Sequence, residues 1–291
     1  MTQYNIRTDL ALESKEFIEE ANGEIRGIIV DEWTDPNINV HITKVEIISP
    51  NGSKIMNKPM GTYVTIEADQ LIDCDDAYKK NITNIIAEQL TDILPPIKDN
   101  TSVLIVGLGN RDVTADALGP SVVDSLQITR HIIKKFGATA YPDRRPISIS
   151  SIAPDVMGKT GMETAEIIKG VNMVTQPDFI VVIDALAARS TKRLNRTIQL
   201  TNTGIHPGSG IGNSTIGLTK ASLDTPVIAL GVPTVVDAST IISDALNKNG
   251  EMQSNYHFSD AINMYVTAKD IDAIIKQLSQ IIADALNICF A

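Results

Sequence analysis

Two aspartates carry the clearest chemical promise in the chain. Asp116 lies in "GLGNRDVTADALGP" after the apolar run Val103-Leu104-Ile105-Val106, and Asp184 ends the nearly all-apolar run of "FIVVIDALAARS". In open α/β sheets the carboxyl ends of strands gather ligands and catalytic groups, because loops converge there on a rigid base. A carboxyl directly behind five apolar residues is expected to lose hydration, which raises its pKa and suits it to proton transfer. Two such carboxyls brought together can share a proton. One then acts as base toward water while the other acts as acid toward the scissile group, the chemistry of aspartyl hydrolysis.

Each aspartate also has a purely architectural reading. Asp184 can cap a following helix or pair with Arg189, and Asp116 can be the N-cap of the next helix, while Asp112 suits a turn. Competing chemistries find less support. His41, His131, His206 and His257 are scattered and show no H-E-x-x-H spacing. There is no G-x-S-x-G elbow, although Ser209 in "HPGSGIG" keeps a serine nucleophile open. The loop at 106–120 starts like a phosphate cradle, yet it lacks the glycine that would complete G-x-G-x-x-G and puts two aspartates where a pyrophosphate would sit. Further glycines, Gly204, Gly208, Gly210 and Gly212, surround His206 in "TGIHPGSGIGNST". Their backbone amides can approach a ligand closely.

The elements that must hold these residues can be read from periodicity. Short β-prone runs between 27 and 67, separated by Asp-Pro, Pro-Asn-Gly and Pro-Met-Gly turns, predict an antiparallel layer. A three- and four-residue apolar step predicts a helix over 76–93, stopped by Pro95-Pro96. Strands and helices then alternate: strands 103–107, 147–151, 179–184, 197–201 and 226–231, with helices near 118–136, 161–170 and 234–247. That rhythm predicts an α/β fold with a largely parallel sheet covered by helices. The apolar stripe from Ile271 to Leu286 predicts a covering helix over 270–287. Residues 1–26 read as a polar arm or irregular helix outside the core, with Leu10, Leu12 and Ile18 as anchors, and "NKNGEMQSNYHFSDA" reads as an exposed loop.

Composition narrows the partners. The 291 residues carry 25 Lys and Arg against 35 Asp and Glu, a formal charge of −10, which argues against nucleic acid as a direct ligand and against anionic membrane surfaces. Cys74 and Cys289 lie far apart and outside metal-ligand spacing, so a reducing, cytoplasmic compartment fits best. No window approaches a membrane span, and the N-terminus is too charged for a secretory signal.

Six segments in one order, "QYNIRTDLALES", "IVGLGNRDVTADALGP", "SSIAPDVMGKTGMET", "PDFIVVIDALAARS", "TGIHPGSGIGN" and "GVPTVVDA", resemble the spore germination proteases of spore-forming Firmicutes. That family is similar in fold to the hydrogenase maturation endopeptidases, a phosphorylase/hydrolase-like α/β architecture. The resemblance implies an endopeptidase that degrades small acid-soluble proteins in the spore core during germination, an atypical aspartic peptidase without cofactor or metal whose two critical aspartates fall on Asp116 and Asp184. It implies a homotetrameric zymogen that removes its own propeptide. The processing motif maps onto Asp9-Leu10-Ala11-Leu12-Glu13, giving a propeptide of 1–9, a cut between Asp9 and Leu10, and a peptidase domain of 10–291 with its catalytic core at 101–247. Amides of the loop at 204–213 and of the first glycine loop are candidates to bind substrate backbone or a developing oxyanion, through Gly107, Gly109, Asn110, His206, Gly208, Ser209 and Gly210. Two rival expectations remain: a metal-dependent peptidase with Asp116 and His206 among the ligands, and a binding module without turnover. In the family many members are longer between the helix near 234–247 and the last helix.

Overall fold

A computed structural model describes residues 9–20, 26–142, 145–208, 216–238, 241–242 and 264–291. The chain forms an α/β structure around one mixed sheet. Its strands are β1 (Ile28–Asp35), β2 (Val40–Ile47), β3 (Gly61–Glu67), β4 (Ser102–Gly107), β5 (Ser148–Ile152), β6 (Phe179–Ala188), β7 (Thr197–Thr201), β8 (Val227–Asp237) and β9 (Tyr265–Val266). The order across the sheet is β1-β2-β3-β7-β8-β6-β4-β5, with β9 on the end of β8. β8, β6, β4 and β5 run parallel, as their apolar sequences lead one to expect. The antiparallel strands expected over 27–67 are present and continue this same sheet through the β3–β7 pair.

Helices cover both faces. α3 (Asp76–Ile93), α4 (Leu118–Asp124) and α9 (Ile271–Cys289) close the larger core, where Phe179, Val181, Ile183, Val103 and Ile105 point. Leu104, Val106, Ile180 and Val182 point to the opposite face, under Ala165 and Ile168 of α7 (Thr164–Thr175). Alternation along β4 and β6 thus serves two apolar layers, which explains why neither strand has a polar face. α3 starts where Asp75 caps the Tyr78 N–H, and ends at Leu94, just before the prolines. Other helices among the described residues are α1 (Ala11–Glu20), α2 (Pro50–Met56), α5 (Arg130–Phe136), α6 (Met157–Thr160) and α8 (Lys220–Leu223).

Three expectations need correction. The single helix over 118–136 is two helices, α4 and α5, because the intervening backbone bonds elsewhere: Gln127 N–H goes to Asn287 Oδ1, and Thr129 Oγ1 ties to Ile147 and Ile149. The helix expected from 234 starts later, because β8 runs on to Asp237 and pairs with β9 there; residues 238, 241 and 242 are helical. The part of that helix beyond 242, and the loop at 247–261, fall outside the described residues. Finally, the N-terminal segment is not peripheral: Ala11–Glu20 is helical, and Leu10, Ala11 and Leu12 are buried, Leu10 at 0% exposure.

Candidate active site

Asp184 sits inside β6, one position beyond the last residue pair that β6 forms with β4, Gly107 with Ile183. On its other side it pairs with Gly231 of β8. The strand carries on to Ala188, so Asp184 caps no helix, and no ion pair with Arg189 occurs among the described residues. Only 7% of the residue is exposed. Its Oδ1 accepts the Ala185 N–H at 2.9 Å.

The loop after β4 turns back to bring up Asp116. Leu108 N–H bonds to Ile183 C=O, which holds the loop against the very strand that carries Asp184. Gly109 has φ +117°, and a Cβ there would stand 1.9 Å from the Asp116 carbonyl oxygen, so the turn requires glycine. Gly107 and Gly119 meet backbone to backbone in the same way: a Cβ on Gly107 would lie 2.2 Å from Gly119 O, and one on Gly119 would lie 2.6 Å from Ile183 O. Asp116 ends a short 3-10 turn, and its Oδ2 accepts the Asn110 N–H at 2.8 Å. It does not cap α4, whose N-cap is Ala117 without a side-chain bond. Thr234 of β8 fixes the turn from the far side by donating to Ala115 C=O at 2.6 Å. Asp112 is an exposed turn residue with Lys159 2.7 Å away.

Electrostatics bind the two aspartates into one site. Burial pushes the Asp184 carboxyl well above the ordinary range, the charges of Asp116 and Asp9 push it further, and the Ala185 N–H opposes them. Burial also raises Asp116, the Asn110 N–H counteracts, and the negative Asp155 adds to the rise. No cation contributes to either shift. Both shifts make these carboxyls hold a proton more tightly than an isolated aspartate would, the direction that lets two carboxyls take different acid and base roles.

The third carboxyl in this electrostatic group belongs to the N-terminal segment. Asp9 donates its N–H to Ala187 C=O at 3.3 Å, and its Oδ2 accepts the Ala187 N–H at 3.0 Å. Asp9 C=O accepts from Lys58 Nζ and from Gln199 Nε2, each at 3.0 Å, while Ala11 N–H donates to Gln199 Oε1 at 2.6 Å. Leu10 fills an apolar pocket of Leu186, Ala188 and Val236. Glu13, 4% exposed, accepts the Arg189 and Ser190 N–H groups at 2.9 and 3.1 Å, with Arg193 3.5 Å away. Arg193 also grips Glu16 through two nitrogens, at 2.8 and 2.6 Å.

Of the loop residues singled out from sequence, Asn110 spends its N–H on Asp116, and Gly107 and Gly109 permit close backbone packing. His206 is exposed, its ring against Gly217, and Gly208 holds φ +71°. Ser209 and Gly210 lie outside the described residues. Among the described residues no three His, Cys, Asp or Glu side chains converge as metal donors. Lys58, Gln199 and Arg193 escaped the sequence reading. Each meets Asp9 or Glu13 only through the fold, from positions far away in sequence.

A buried and a half-buried carboxyl, coupled electrostatically, with the N-terminal segment bonded to β6 at Ala187, make a candidate site on an α/β frame. The family model described as germination protease matches residues 6–249, and the chain belongs to that family. It is 40% identical to the germination protease of Clostridium tetani, over 98% of this chain and 95% of the relative. The germination protease of Caldanaerobacter subterraneus is also 40% identical, over 97% and 93% of the two chains. That of Bacillus pumilus is 43% identical over 85% of this chain and 68% of its own, longer sequence. Membership makes the protein a peptidase, with proteins as substrates. No described helix is long and apolar enough to cross a membrane.

Proposed function

We propose that the protein is an endopeptidase made as a self-processing zymogen, which removes residues 1–9 by cutting between Asp9 and Leu10 and then opens small acid-soluble spore proteins in the spore core. Asp116 and Asp184 activate the water, one as base and the other as acid. The observation that carries this reading is the electrostatic grouping of Asp116, Asp184 and Asp9 around a segment whose next residue, Leu10, is fully buried. Asp9 is tied to Ala187 of β6 by one backbone bond and one side-chain bond, with Leu10 seated in an apolar pocket, and main-chain bonds together with side-chain pockets are how peptides are held. Homotetramer assembly belongs to the same proposal.

The test is mass spectrometry of the intact chain and of an added small acid-soluble spore protein, with Asp116→Asn, Asp184→Asn and chelator-treated samples alongside. Release of residues 1–9 and defined cuts in the added protein are expected from the parent. Either Asn variant should be slower by roughly 10²–10⁴-fold. Activity that survives both substitutions in folded protein removes the paired-aspartate mechanism, and activity lost to chelator points to a metal.

A further inference from the structure

Two side chains converge on the carbonyl oxygen of Asp9. Lys58 Nζ and Gln199 Nε2 each donate to it at 3.0 Å. Lys58 comes from the turn between α2 and β3, and Gln199 from the middle of β7, so elements far apart in sequence meet at one oxygen. Gln199 is 7% exposed and is aimed by the Ala11 N–H, which occupies its Oε1 and leaves its amide nitrogen to face Asp9. The Lys58 residue keeps part of its surface on solvent, yet its ammonium end lies among protein atoms, and burial lowers its pKa while Asp9 and Glu13 oppose that fall. The Asp9 and Glu13 charges offset part of the cost of burying this ammonium, while its hydrogen bond goes to the neutral Asp9 carbonyl, where negative charge would be met directly if it developed.

We propose that Lys58 and Gln199 form the oxyanion hole of the peptidase, as catalytic residues that polarise the carbonyl of the bond being cut. The inference rests on the reading that the Asp9–Leu10 bond is a substrate. Water adds to the Asp9 carbonyl carbon as one carboxylate of the Asp116–Asp184 pair takes its proton. The carbonyl π electrons move onto oxygen, where the Lys58 ammonium and the Gln199 N–H meet the new negative charge. When the C–N bond breaks, the other carboxyl gives its proton to the Leu10 nitrogen, leaving an Asp9 carboxylic acid and a free Leu10 amine. Donors already placed on the oxygen need no reorganisation as charge appears, which is what makes such holes effective. A substrate protein taking the place of residues 9–13 would present its own carbonyl to the same two donors.

The experiment follows self-cleavage of the full chain by intact mass, and kcat and KM for a synthetic peptide of residues 3–18, in the parent, Lys58→Met and Gln199→Leu. Hydrogen exchange at Ala11 and Ala187 reports whether the segment stays docked. Lys58→Met is expected to slow both cuts by about 10²–10³-fold through kcat, with KM and the protection of Ala187 little changed. Gln199→Leu should slow them less, since the charged donor remains. If Lys58→Met cleaves within about threefold of the parent, or if its loss falls on KM with protection gone, the oxyanion role is overturned. A folded parent that cuts neither itself nor the peptide overturns the peptidase reading, and this proposal with it.

Discussion

Asp9 and Ala187 exchange two hydrogen bonds: the Asp9 N–H goes to Ala187 C=O, and the Ala187 N–H returns to the Asp9 carboxylate. Ala187 lies where β6 has outrun β4, so a strand edge is available there, and the N-terminal segment takes it. The edge of β6 beyond Gly107 therefore holds the Asp9 backbone at Ala187, three residues past Asp184.

The hold on that segment depends on Glu13 and Arg193. Glu13→Ala should leave two amides, those of Arg189 and Ser190, without their partner and the Arg193 charge less compensated, a loss of about 1–3 kcal/mol. Faster hydrogen exchange at Ala187, Arg189 and Ser190 is the expected outcome, with the α3 and α9 amides unaffected. Arg193→Gln should act in the same direction by freeing Glu16 and Glu67 as well. Unchanged exchange in both variants would mean that the apolar seat of Leu10 suffices.

Asp184 should make the parent less stable at neutral pH than its amide counterpart. Its folded carboxyl titrates well above the ordinary value of 3.8, so its contribution is complete below that value and is lost as pH rises through the folded one. Asp184→Asn carries no such loss. The variant is expected to melt on the order of 2–4 °C higher than the parent near pH 7, and the gap should close toward about pH 4. Melting curves across that range decide it, and a gap that widens on acidification would contradict the desolvated position of Asp184.

Asp9 pushes Asp184 upward, after burial and Asp116. Asp9→Asn keeps an acceptor for the Ala187 N–H and removes the charge. The Asp184 carboxyl should then titrate lower, which carboxyl carbon NMR of the intact chain can follow. Loss of residues 1–9 by cleavage should move Asp184 the same way, so the proton distribution within the Asp116–Asp184 pair changes once the segment has been cut.

The positions of Asp184 and of the loop that carries Asp116 were legible because an apolar run that reads as a strand precedes each, and strand ends are where loops can converge. The helix over 76–93 was legible for a similar local reason, with an acidic cap at one end and prolines at the other. What escaped depends on contacts between distant residues. The break between α4 and α5 is made by Asn287 and by the strand at Ile147–Ile149, and nothing in "SLQITR" announces it. β8 passes through Pro233, a residue that argues for a strand end, and the Leu186/Ala187 register shift accommodates the mismatch. Lys58 and Gln199 meet Asp9 across 49 and 190 residues of chain. Leu10 looked peripheral because its pocket is supplied by β6 and β8, far away in sequence.

The opening loop offers the last prediction. Gly109→Ala would force a Cβ onto the Asp116 carbonyl, 1.9 Å away, at φ +117°. Backbone atoms cannot swing aside as a side-chain tip does, so the turn carrying Asp116 must move. The strain is of order 1–3 kcal/mol, and a displacement of the carboxyl near 1 Å costs about 10²-fold in rate. Gly137→Ala is the matched control: φ is also positive, at +74°, but nothing lies within 4 Å of the added Cβ. With ψ at −173°, a backbone region that glycine alone readily adopts, that variant should lose about 1–3 kcal/mol of stability and keep its cleavage rate. Equal rates for the two variants would mean that the position of Asp116 is not what the glycine loop protects.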